Sequence, residues 1–226
     1  MPKHFKVPFT QIYIGRFLFL LLSMVLMFAL RPFLESLVRI SYLIDIFFFV
    51  IFLSAVYAVS QKKSTFIIAL IMALLLEILI WLSHLTDISS FRIIGNILTI
   101  LFIGYTATII LSYLFTEDEI TGDVIMGAIC VYFLIGFAWA FIFFTLELLQ
   151  PGSFQMPQDQ GAKLSHFSYY SYVTLTTLGY GDFTPISAQA RSLALLEAIM
   201  GQLYIAILVA RMVGIHIAQG VSRNAQ

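Results

Sequence analysis

Six apolar stretches, at positions 12–30, 40–60, 64–83, 93–115, 124–148 and 191–214, fill most of this 226-residue chain. About 20 mostly apolar residues let a helix cross a bilayer, and each stretch is near that length. No soluble core of this size can hide so many of them. Of the residues, 61% are hydrophobic and 11% charged, against roughly 45–50% and about 25% in an ordinary soluble domain. This excludes a cytosolic enzyme and a nucleic-acid module, and the balance of 12 basic against 12 acidic residues agrees. Lys3, Lys6 and Arg16 stand at the start of the first stretch. One hydrophobic run follows another, with no cleavage site leading into soluble sequence, so the first reads as a retained membrane helix. The single cysteine, Cys130, lies in an apolar run, which leaves no intrachain disulfide and no cysteine-based metal site.

The breaks between stretches carry turn and charge signals: Arg31-Pro32, Gln61-Lys62-Lys63, Thr86-Asp87 with Ser89-Ser90, and the acidic linker 117–123. Thr116 and Glu119 have the spacing of a capping box opening the fifth helix. Positions 150–189 differ from the rest. The segment starts polar and turn-rich at Pro151, Gly152, Pro157, Asp159 and Gly161, and leaves the membrane. A short hydroxyl-rich run, 165–176, follows and returns through Gly179, Gly181 and Pro185. It is too short to span and reads as a half-helix dipping into the bilayer. Non-helical backbone at that depth is tolerated only when buried in protein or lining water, which points to a pore.

Thr177-Leu178-Gly179-Tyr180-Gly181-Asp182 is the informative run. A site that strips water from potassium must offer rings of oxygens in place of the hydration shell. Carbonyls do this, but in a strand successive carbonyls point to opposite sides. Glycines that reach positive φ cheaply let consecutive carbonyls turn the same way, and Gly179 and Gly181 alternate with ordinary residues as that requires. The Thr177 hydroxyl adds an innermost ligand, while Tyr180 points away and braces the loop on the aromatic half-helix.

These residues resemble the potassium-channel family, whose signature is Thr-(Val/Ile/Leu)-Gly-Tyr-Gly. The likeness covers positions 165–214 and, by position and hydropathy, the preceding helix 124–148. Pro185, Arg191 and Gly201 stand where two-helix bacterial pore modules of the family carry a proline, an arginine opening the inner helix and a glycine hinge. The resemblance implies an all-α integral membrane protein with six transmembrane helices, one re-entrant pore helix and a homotetrameric pore. Residues 1–119 would form a four-helix domain without sensor charges, and 120–226 the pore domain. Potassium would bind at Thr177, Leu178, Gly179 and Tyr180, supported by Thr176, Gly181, Asp182, Tyr169 and Tyr170, with the C-terminal dipole of the pore helix favouring a cation in the cavity. One filter per chain requires four chains. The sequence departs from the family in two places. Val173 stands where some members place a glutamate that pairs with the filter aspartate, leaving Tyr169 or Tyr170 as partner for Asp182. Tyr169-Tyr170 replaces a common Trp-Trp pair.

The fourth stretch offers only Arg92 where a voltage sensor needs several arginines, so weak or absent voltage dependence is expected. Asp45, Glu77 and Arg92 fall in the outer halves of their helices, either as a buried sensing cluster or as a structural pair or snorkelling groups. Glu197 either braces the filter in a proton-sensitive way or pairs with a polar pore-helix side chain. Gly201 is either a hinge or a close-packing position, and Ile205 and Val209 below it are candidates for a gate. His166 is either a pH sensor or a solvated helix start. The linker 117–123 lacks an EF-hand pattern and is either a cation site or a solvated helix start. The 12 residues after Gly214 are too few for a soluble regulatory domain.

The expected partners are therefore three further copies and membrane lipid, with no nucleic acid and no cofactor besides the permeant ion. With the N-terminus inside, seven basic residues lie on the cytoplasmic side and five outside. That margin is narrow, and the resemblance carries the placement of both termini in the cytoplasm. The small size and absence of targeting sequence suggest a bacterial inner membrane. Gly179-Tyr180-Gly181-Asp182 also fits the G-x-G-D pattern of intramembrane aspartyl proteases, but such a site needs a second aspartate, usually in a Tyr-Asp pair, and no Tyr-Asp dipeptide occurs. The enzyme reading is set aside. A nonselective cation channel commonly alters the Tyr or the second Gly of the signature, and both are intact here. A non-conducting scaffold would require nothing of the loop at all.

Overall fold

The computed structural model of the chain describes residues 15–35, 41–58, 63–86, 89–117, 119–155 and 163–224. Four helices come first: α1 (Arg16–Glu35), α2 (Ser41–Ala58), α3 (Lys63–Thr86) and α4 (Ser89–Thr116). Next come α5 (Gly122–Leu149), β1 (Phe154–Gln155), the short α6 (Leu164–Leu175), β2 (Thr184–Pro185) and the long α7 (Ala188–Asn224). Among the described residues, Ser90–Thr116, Gly122–Leu149 and Ala188–Ile217 are each long and apolar enough to cross a membrane. Together with the almost wholly helical chain, they fit an all-α membrane protein.

Two boundaries differ from expectation. α1 runs through Arg31-Pro32 to Glu35 rather than ending there. A proline in a last turn removes one backbone donor and leaves the earlier turns intact. α5 is opened by Thr121, whose side chain accepts from the Val124 N–H at 3.3 Å, and not by a capping box at Thr116 and Glu119. Thr116 is instead the last residue of α4, its hydroxyl donating back to the Ser112 carbonyl at 2.7 Å. That bond is available only to a residue already helical.

The helices pack in a chain of neighbours, α1 on α2 and α5, α3 on α4, and α4 along α5. One core joins them, with Phe17, Leu20, Met24, Phe102, Ile110 and Val131 among its buried members. A second, aromatic core surrounds α6. There Phe143 meets Tyr170 edge-on at 5.0 Å, Phe154 meets Phe167 at 5.3 Å, and Tyr170 lies 4.9 Å from Phe183. Such ring pairs add to simple area burial. The second core fixes the short helix that carries the loop 176–182.

Candidate functional site

The loop is built from the end of α6. The N–H groups of Thr176 and Thr177 donate to the carbonyls of Tyr172 and Thr174, and those of Leu178 and Gly179 both reach the Val173 carbonyl, at 2.9 and 3.4 Å. A helix C-terminus leaves four carbonyls without intrahelical partners, and here the loop that follows supplies the donors. With their N–H groups turned back on α6, the loop residues keep their own carbonyls for another partner. Thr177, Gly179 and Gly181 have φ of +58, +57 and +80, while no other non-glycine residue among those described has positive φ. Left-handed backbone at alternate positions is the condition for neighbouring carbonyls to turn one way. Gly179 and Gly181 were legible as such positions; Thr177, a β-branched residue for which this region is an outlier, was not.

Asp182 accepts a hydrogen bond from the Tyr169 hydroxyl at 2.8 Å. That bond, the largest cause, pushes the Tyr169 phenol above its ordinary value. Tyr170 is buried in the aromatic core instead. Tyr180 is 66% exposed in the single chain, and the ring seated on α6 is that of Phe183, packed against Tyr170, Phe154 and Phe167. Phe183 is missed by a motif that ends at Asp182. Residues 176–182 are all exposed in the single chain.

The hydroxyls that make α6 unlike a spanning helix tie it to its neighbours. Tyr172 donates to the Phe133 carbonyl at 2.6 Å and Ser171 lies 2.7 Å from the Gly136 carbonyl. The hydroxyl of Tyr132, on α5, reaches the Leu175 carbonyl at 3.4 Å. From α7, Glu197 meets Ser171 through its Oε1, and Gln202 reaches the Thr177 hydroxyl at 3.5 Å. Gly201 is buried, and a Cβ there would strike the Leu175 carbonyl. The structure shows its close approach to the end of α6, and α7 runs unbroken past it. Ile205 and Val209 lie beyond, on the same helix and exposed.

A residue not singled out by sequence, Glu147, secures the turn that follows α5. Its carboxylate is buried and accepts from the N–H groups of Gly152 at 2.8 Å and Phe154 at 3.2 Å. The held turn pairs Phe154 with Pro185, and Ile186 N–H donates to the Ser153 carbonyl at 2.8 Å. Its signal was a lone acid just before Pro151-Gly152 in an otherwise apolar run. Ser187 caps α7, accepting from Ala190 N–H at 3.1 Å, while Arg191 in the first turn reaches the Pro185 carbonyl at 3.3 Å.

Residues 129–216 match the family described as Ion channel. The stretch runs from α5 through α6 and the loop into α7, so it takes in every feature of the site above. It supports ion-channel activity in a membrane protein and points to transport rather than enzymatic chemistry. The chain matches no curated protein and no solved structure.

Other expected sites fare differently. Arg92 is exposed near the start of α4 and Glu77 is half-buried in α3, while the side chain of Asp45 lies outside the described residues. The exposure of Arg92 removes it from a buried cluster. His166 is half-buried in the first turn of α6. In the linker, Asp118 lies outside the described residues, and the Glu117 carbonyl accepts from Arg211 of α7 at 3.0 Å. Among the described residues no three His, Cys, Asp or Glu side chains gather to hold a metal.

Proposed function

We propose that the chain is one subunit of a homotetrameric potassium-selective channel, with six spanning helices, cytoplasmic termini and little voltage dependence. The observation that carries this reading is the alternation of left-handed backbone at Thr177, Gly179 and Gly181, joined to N–H groups bonded back to α6. Four such loops around an axis offer rings of carbonyls from Thr177, Leu178, Gly179 and Tyr180 in place of a potassium hydration shell, with the Thr177 hydroxyl innermost. Thr176, Gly181, Tyr170 and the Tyr169–Asp182 pair support that loop. Ile205 and Val209, four apart on α7 and so on one face, are candidates for a dewetting gate below it. Arg92 as the lone arginine of α4 favours voltage independence. A bacterial inner membrane remains the proposed location.

Potassium uptake into proteoliposomes tests the reading, with sodium-only and Gly179→Ala controls. Potassium-dependent uptake lost in Gly179→Ala is the expected result. Equal sodium and potassium flux would instead favour a nonselective cation channel, and no flux from an intact tetramer across about pH 4 to 8, the titration range of carboxylates and histidines, would leave a scaffold.

A further inference from the structure

Glu197 of α7 has no exposed surface. Its Oε1 accepts from the Ser171 hydroxyl of α6, and the same hydroxyl lies 2.7 Å from the Gly136 carbonyl of α5. Its Oε2 is buried without a hydrogen-bond partner among the described residues. Among the described residues, the titratable groups on which Glu197 acts are phenols, Tyr132 on α5 and Tyr170 and Tyr172 on α6. An acid in such a place is costly, and a leucine would pack an apolar helix without that cost. The contact it makes joins three helices at one point. One turn further along α7, Gly201 meets the carbonyl of Leu175, the last residue of α6. The N–H groups of residues 176–179 bond to carbonyls of 172–174, immediately after Ser171.

We propose that Glu197 is a positioning residue for the filter: through Ser171 it holds the C-terminal half of α6, and with it residues 176–179, in register with α7. The selectivity part of this role rests on the channel reading; the positioning part does not.

The full chain in detergent and in proteoliposomes supplies two readouts. One is hydrogen exchange at the amides of Thr177, Leu178 and Gly179, and the other is the ratio of potassium to sodium flux. Glu197→Leu fills the space but offers no acceptor. Exchange at these amides should speed by about tenfold, the scale of one lost hydrogen bond, and the flux ratio should fall with it. Glu197→Gln keeps a carbonyl acceptor for Ser171 and should retain wild-type exchange and ratio. Ser171→Ala, a smaller change, should reproduce the leucine result, and the double variant should add nothing to it. Unchanged exchange in both Glu197→Leu and Ser171→Ala overturns the proposal, as does a Glu197→Gln variant as impaired as Glu197→Leu. If Glu197→Leu does not assemble, Glu197→Met takes its place, because Ser171→Ala also removes the contact with the Gly136 carbonyl. A wild type without potassium flux removes the channel reading instead, and the exchange rates still decide whether Glu197 positions the loop.

Discussion

Thr177 is held at φ +58, a conformation that costs a β-branched residue on the order of 1–3 kcal/mol. It persists because its N–H is tied to Thr174 and its hydroxyl meets Gln202. The two later positive-φ positions in the loop are glycines and avoid that cost. Gly181→Ala puts a Cβ where φ is +80 and should lower stability by about 1–3 kcal/mol, read as a fall in thermal midpoint. The Tyr169–Asp182 bond sets a pH dependence whose sign is fixed. The phenol is raised because its protonated form donates the bond. That contribution is complete below the ordinary tyrosine value of about 10 and disappears as pH climbs through the raised one. Ultraviolet titration should show one tyrosine moving to lower pH in Asp182→Asn relative to wild type. Of these details the sequence carried the glycines and offered Tyr169 as one of two partners for Asp182. Thr177 was hidden because its side chain argues against the backbone it adopts.

At the scale of elements, the close approach of α7 to the end of α6 is set by Gly201. Gly201→Ala drives a methyl into the Leu175 carbonyl, and backbone cannot yield as a side-chain tip does. The variant should melt at lower temperature than wild type; a hinge role alone would alter gating and leave the melting point in place. Thr121→Ala removes the cap of α5 and should cost about 1 kcal/mol, whereas Thr116→Ala should leave that helix start untouched. Chemical denaturation of the two variants separates them. Helix positions were legible from apolar runs, since length and hydropathy decide which segments suit a bilayer. Helix ends were less so, because Thr116 and Thr121 offer the same hydroxyl within five residues and only the path of the chain selects one. Phe183 was missed for a related reason, its ring partners lying on α6 and at Phe154 where no spacing marks them. Glu147 was missed although its partners, Gly152 and Phe154, are only five and seven residues on, because a lone acid before a turn has no motif.

At the scale of the molecule, 61% of an 18-residue apolar window of α5 is buried within the chain, against 11% of the corresponding window of α7. Leu195, Leu203, Ile207 and Val213 are among the large exposed side chains of α7. A continuous apolar surface of this size needs lipid or further protein against it. Under the proposed function, other copies cover part of it, and native mass spectrometry should find four chains. Such an assembly cannot be read off one chain; the single loop per sequence is the ground on which four copies are expected. The amides of residues 176–179 extend the hydrogen-bond ladder of α6 beyond its last turn. Loop and helix end are therefore one cooperative unit of local unfolding. A fluctuation that frees the loop must also fray the helix, so the loop inherits the stiffness of the aromatic core around α6 and any ligand that orders it will slow exchange in that helix as well.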